Sequence, residues 1–95
     1  MALNIRFKLF GPIRRVCGTG EMSIDVPEES RVKDVIEYLV DRIGPELHSL
    51  LKDDEGISGN FIVMLNKRDV NTLDGLETRV HDGDELALLP HVQGG

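Results

Sequence analysis

A single amphipathic helix, in a chain otherwise patterned for strands, is the feature that most limits the fold. Val32, Val35, Ile36, Leu39, Val40 and Ile43 recur at helical spacing and form one wide apolar stripe. Ser30, preceded by Glu28 and Glu29, is the expected N-cap, and Gly44-Pro45 is expected to end the helix. The opposite face mixes Lys33, Asp34, Glu37, Asp41 and Arg42. A helix lying on a membrane surface would be basic there, so the stripe reads as core. A further helical turn is expected over Glu46 to Leu51.

The rest of the chain alternates or runs apolar at strand length. Leu3, Ile5, Phe7 and Leu9 lie on one face of a first strand, with Asn4, Arg6 and Lys8 on the other. Met22, Ile24 and Val26 repeat the pattern, and Pro27 ends it; the two strands should pair as a hairpin joined by a long connection, Gly11 to Gly20. Phe61 to Leu65 is continuously apolar, as in a strand central in a sheet or buried on both faces. Asn66-Lys67 turns the chain, Asp69 to Leu73 has room for a short strand, and Lys52 to Asn60 reads as loop. Asp82-Gly83 is a strong turn signal before a last strand, Glu85 to Leu89, stopped by Pro90, which has no N–H for the ladder. One helix cannot cover both faces of such a sheet. The expected fold class is therefore α+β, a mixed sheet of about five strands gripping one main helix.

Residues 91–95 follow Pro90 as a short tail, so that the expected organisation is one domain, 1–90, and a flexible tail, 91–95. Fully extended, five residues reach about 17 Å at ~3.3 Å each. Gly94 and Gly95 carry no side chains, so they fit a slot too narrow for any Cβ and adopt backbone angles closed to other residues. Such a tail offers a partner its terminal carboxylate. The plain alternative is a frayed end, where disorder usually concentrates.

Composition narrows the function. Ninety-five residues with a formal charge of −6, from 17 acids against 11 bases, repel a phosphate backbone. The aromatic content of 4%, with no Trp, provides no stacking platform for single strands, so nucleic acid is not expected as a partner. The first residues run straight into a strand pattern, and no apolar run approaches membrane length; a cytoplasmic location without membrane contact is the expectation. Cys17 stands alone, which excludes an intrachain disulfide and a cysteine metal cage. With no His close in sequence to form thiolate, it reads as structural or incidental. His81 lies near Asp82 and Asp84, where turn chemistry accounts for the aspartates and no metal is expected. Phosphate loop, zincin and serine-elbow motifs are absent, and nothing assembles a nucleophile, a base and an oxyanion donor. A carrier or binding module is favoured over an enzyme acting alone. Phe10 is a large apolar residue where the strand alternation expects a polar one, either at the edge of the core or as a contact for another protein.

The strand order and tail together resemble the ubiquitin-like β-grasp superfamily, and more narrowly the molybdopterin synthase small subunit and thiamine sulfur-carrier group. The resemblance rests on Ile5 to Arg14, Val63 to Lys67, Leu73 to Thr78 and, above all, His81 to Gly95, where Asp-Gly-Asp-Glu precedes Pro90 and Gly94-Gly95. Pro90 places it nearer the molybdopterin branch. Relatives often carry Asn-Gly where this chain has Asn66-Lys67, Pro-Pro where it has Pro90-His91, and Phe where it has Leu88 and Leu89.

The resemblance implies a non-catalytic sulfur carrier. A separate adenylating enzyme, using ATP and Mg, would join the Gly95 carboxylate to AMP. A sulfur donor protein would then displace AMP to leave a thiocarboxylate, and a molybdopterin synthase large subunit would use that sulfur. The chain itself would hold no cofactor. Gly94 and Gly95 would thread the partner's slot, while Phe10, Arg14, Leu89, Pro90 and His91 would supply docking contacts. Small archaeal-type modifier relatives imply an alternative, in which Gly95 is conjugated to lysines of target proteins. A β-grasp interaction domain with an inert tail is the third reading.

Overall fold

The computed structural model describes residues 2–54, 56–57 and 61–90. The element order is β1 (Ala2–Leu9), α1 (Gly11–Cys17), β2 (Glu21–Pro27), α2 (Val32–Ile43), α3 (Pro45–Leu51), β3 (Lys52–Asp53), β4 (Gly56–Ile57), β5 (Phe61–Leu65), β6 (Arg68–Asp69) and β7 (Glu85–Pro90), with 3-10 turns at Val70–Thr72 and Gly75–Glu77 between the last two strands. Five strands form one sheet in the order β2-β1-β7-β5-β6. β1 pairs antiparallel with β2 and parallel with β7, and β7 pairs antiparallel with β5, so the sheet is mixed. The expected α+β architecture is present.

Alternation explains why the sheet grips α2. Ile5, Phe7, Leu9, Ile24, Val26, Val63, Leu65, Leu86 and Leu88 all turn to one face, where they meet Val32, Val35, Ile36, Leu39 and Val40. Every one of these side chains is buried. Truncating a fully buried leucine such as Leu39 to alanine costs about 2–5 kcal/mol, lost transfer energy plus the cavity left behind.

Several local expectations are corrected. Gly11 to Gly20 is not plain connection, because seven of its residues form α1. Pro12 fits a first helical turn, which has no partner for that N–H in any case. Gly18, at φ 77°, ends the helix with its N–H donating to the Arg14 carbonyl at 2.9 Å. Ser30 is not the cap of α2. It is buried and its hydroxyl donates to the Pro27 carbonyl at 2.7 Å; the cap position is Arg31, whose N–H donates to the Asp34 carboxylate at 2.9 Å. The expected turn after α2 is a full short helix, α3, which buries Leu47 and Leu51. Lys52–Asp53 and Gly56–Ile57 form a small hairpin of their own within the expected loop. Of the two readings of β5, a place inside the sheet holds, between β7 and β6, but it is buried on one face only, since Ile62 and Met64 are half-buried. The expected strand from Asp69 is instead a two-residue strand followed by a 3-10 turn. Pro90 does not stop β7 before itself but is its last residue, opposite Phe61.

Candidate docking face and tail exit

β7 carries the tail, and its place in the middle of the sheet fixes where the tail leaves. Leu86 and Leu88 point to the core, so Glu85, Ala87 and Leu89 point to the other face. Register supplies their neighbours there: Ala87 lies opposite Lys8 and Met64, Leu89 opposite Ile62, and Glu85 opposite Arg6. The result is a half-buried apolar strip of Ile62, Met64, Ala87 and Leu89 on the face away from α2, bordered by Arg6 and Lys8. Lys8 Nζ is 3.8 Å from the Glu85 carboxylate, a loose surface pair worth less than about 1 kcal/mol. On a chain of net charge −6, this strip is edged by cations.

At the end of β7 the backbone of Gly11 lies against the Pro90 ring. A Cβ on Gly11 would sit 3.0 Å from Pro90 Cγ, and Gly11 has φ +59°, so both space and backbone angle call for glycine. Phe10, just before it, is 41% exposed, as a contact residue must be. Arg14 lies one helical turn further along α1 and is exposed. Its guanidinium crosses Gly20, where a Cβ would be 3.2 Å from Nε. Phe10 and Arg14 line one open depression of about 510 Å³ with Lys8, Leu9, Thr19, Gly20 and Glu21.

The predicted contact residues are thus sorted by the structure. Phe10 and Arg14 share the depression at the start of α1, Pro90 is packed on Gly11 beside them, and Leu89 belongs to the apolar strip with Ile62. His91, Gly94 and Gly95 lie outside the described residues. Sequence reasoning missed Ile62, Met64 and Ala87. The signal was present in Phe61 to Leu65, whose unbroken apolar run hides a face that is not core.

The remaining candidates are occupied. Asp82 accepts the Asn4 N–H at 2.7 Å and Asp84 accepts the His81 N–H at 2.7 Å, while Gly83 N–H donates to the Asn4 carbonyl at 2.8 Å. The two contacts with Asn4 tie the turn before β7 to β1. Among the described residues no group of three or more His, Cys, Asp or Glu could hold a metal ion. Burial pushes the Cys17 thiol up, which keeps it a thiol and not a nucleophilic thiolate. No helix among the described residues is long and apolar enough to cross a membrane.

The ThiS family model matches residues 7–95, nearly the whole chain. The chain belongs to the ThiS family. Within it, the chain is 37% identical over 76 residues, 80% of its own length and 85% of the relative's, to an Archaeoglobus fulgidus protein named as a sulfur carrier. It is 28% identical to the molybdopterin synthase sulfur carrier subunit of Drosophila sechellia, over 98% of this chain and 92% of the relative. The solution structure of small archaeal modifier protein 1 from Methanosarcina acetivorans superposes with a TM-score of 0.85 at 31% identity, covering 100% of this chain and 99% of the other. The fold is the ubiquitin-like β-grasp, as the resemblance implied.

Proposed function

We propose that this ThiS-family chain is a sulfur carrier that works through its Gly95 carboxylate. The observation that carries the reading is the family match running without a break from the docking face to Gly95, on a chain similar to a sulfur carrier along most of its length. A carboxylate is a poor electrophile. A separate enzyme using ATP and Mg activates it: the Gly95 oxygen attacks the α-phosphorus, pyrophosphate leaves, and an acyl-adenylate forms. A persulfide sulfur on a donor protein then attacks the acyl carbon; the C–S bond forms as the bond to AMP breaks. A thiol then attacks the donor's inner sulfur, so that the S–S bond breaks and leaves a thiocarboxylate on Gly95 and a disulfide on the donor. The thiocarboxylate passes its sulfur to a pterin precursor in the large subunit of a molybdopterin synthase, the kind of assembly in which the Drosophila relative is named as a subunit.

The chain's own part is presentation. Residues 1–90 act as one β-grasp domain, with residues 91–95 as the threading tail. Phe10 and Arg14 at one end of the exposed face, and Leu89, Pro90 and His91 along the exit, hold the partner while Gly94 and Gly95 enter the slot. The chain supplies no catalytic group and no resident cofactor, in the cytoplasm and away from nucleic acid and membrane.

The likeness to small archaeal modifier protein 1 favours a second use of the same intermediate. If a lysine amine of a target protein attacks the acyl-adenylate in place of sulfur, an isopeptide forms.

Intact-mass spectrometry of the protein from its own cells tests both. A chain heavier by one sulfur-for-oxygen exchange, localised to Gly95, supports the carrier. Lysine adducts on other proteins support the modifier; since no Lys or Arg follows Arg79, the tryptic adduct is residues 80–95 and not a bare Gly-Gly. A tail left unmodified even with ATP and the activating enzyme present rejects both and leaves the inert-tail binding domain.

A further inference from the structure

Asn66 and Lys67 form the two-residue turn between β5 and β6, and both have positive φ, 51° and 70°. Hairpin turns of this kind favour Asn followed by Gly, because a side chain at the second position meets steric cost. Asn66 is well used: its side-chain carbonyl accepts the Glu85 N–H at 3.0 Å, and its amide donates to Asp84 at 3.0 Å. Lys67 is not used in this way. A lysine held at an angle that suits glycine, in a turn its side chain does not support, points to a role outside the fold.

Two of the other lysines are held, Lys33 Nζ at 2.7 Å from Glu77 and Lys52 Nζ at 2.7 Å from Glu37, while Lys8 Nζ meets Glu85 only loosely, at 3.8 Å. An amine attacks a carbonyl through its lone pair, so a nitrogen held by a carboxylate must first leave that contact. Among the described residues Lys67 is the lysine with no ion pair and no hydrogen bond from its side chain, and it is exposed. An open depression of about 280 Å³, lined by Arg6, Asn66, Lys67, Gly83 and Glu85, leaves room for a backbone to approach it.

We propose that Lys67 is the acceptor through which one copy of this chain is joined to Gly95 of a second copy. The inference rests on the isopeptide reading of the tail given above. The Lys67 amine attacks the activated Gly95 carbonyl of the other copy. The new C–N bond forms, the bond to the leaving AMP breaks, and the ammonium proton passes to solvent. Topology sets the donor as a second copy. Lys67 sits beside the first residue of β7, whereas the tail leaves from its last, and the five steps between them span roughly 17 Å of extended strand. A five-residue tail of about the same full reach would have to double back completely straight to meet its own Lys67.

The test uses the full chain made as a Gly95 thioester, mixed at neutral pH with isotope-labelled full chain as acceptor. The joined product is digested and its branch points are mapped. Lys67 is expected to carry most branches, and Lys67→Arg to lower the product by about tenfold, as when the attacking group itself is removed; Lys33→Arg should leave it unchanged. Equal yields from Lys67→Arg, or branches spread over the other lysines, overturn the proposal. So does a lack of product while hydroxylamine still consumes the same thioester. In cells, Gly95 adducts on other proteins but never on Lys67 overturn this proposal and leave the isopeptide reading standing. Absence of adducts from every protein, with thiocarboxylate present, removes that reading itself.

Discussion

Gly11 and Pro90, seventy-nine positions apart in the chain, are packed so closely that a Cβ on the first would lie 3.0 Å from Cγ of the second. Pro90 is the last residue of β7 and Gly11 the first of α1, so this contact joins the tail's point of exit to the exposed Phe10. Gly11→Ala adds both a clash and a left-handed alanine. It is expected to lower unfolding free energy by about 1–2 kcal/mol or more. Urea denaturation of the two proteins side by side measures this, and an unchanged midpoint contradicts the contact.

Phe10→Ala and Leu89→Ala remove apolar surface from the proposed docking face but little from the core. Each should weaken binding to the activating enzyme or large subunit by roughly tenfold or more if it anchors the contact, about 1.4 kcal/mol or above. Stability should change by less than about 1 kcal/mol. Calorimetric titration against the partner reads the first quantity, thermal melting the second. Unchanged affinity for both variants places the docking surface elsewhere.

Adding a single alanine after Gly95 leaves every described contact in place, yet it moves the carboxylate proposed to react and adds a Cβ where two glycines had none. Folding should be unaffected by circular dichroism, and ATP-dependent pyrophosphate exchange with the activating enzyme should be abolished. Retained exchange rejects the carboxylate mechanism.

Glu77 sits between two cations. Its hydrogen bond to Lys33, followed by the contact with Arg31, holds its carboxyl below the ordinary glutamate value of 4.5. A folded-state pKa below the unfolded one means that the unfolded chain binds the proton more readily. The stabilisation is therefore full above about pH 4.5 and is lost as pH falls through the lower, folded value. In Glu77→Gln this acid-side loss should shrink, and at neutral pH the variant should be slightly less stable in low salt only. Urea midpoints at pH 7 and pH 3, each at two salt concentrations, check the sign.

Lys67→Gly relieves a side chain at φ 70°. The substitution is expected to stabilise the fold by up to about 1 kcal/mol, the left-handed penalty less the extra freedom glycine has when unfolded. A lower melting temperature for Lys67→Gly would show that the lysine supports the turn after all.

What could be read from the residues depended on how many periods each signal lasted. α2 has six apolar residues at helical spacing, and β1 four alternating ones, enough for each to identify itself. α1 offers only Ile13, Val16 and Cys17 behind a Gly-Pro pair that also begins turns, so its helical nature was hidden. Ser30 has the right chemistry for a cap but spends its hydroxyl on Pro27, a choice made by the preceding turn and not by local preference. The outer strip of Ile62, Met64 and Ala87 needed the cross-strand register, which brings together residues more than twenty positions apart. The tail reading rests on residue type alone, since Gly94 and Gly95 lie outside the described residues.

The parallel pairing of β1 with β7 makes the first strand wait for the last. Until Glu85–Pro90 has been synthesised, β1 has a bare edge where its parallel neighbour belongs, and β5 has no partner linking it to β1. A copy clipped upstream of Glu85 loses the middle strand of its sheet, not a dispensable end, and becomes a target for proteolysis. The architecture thereby checks its own completion: a globule with a closed sheet is one whose chain was made at least to Pro90.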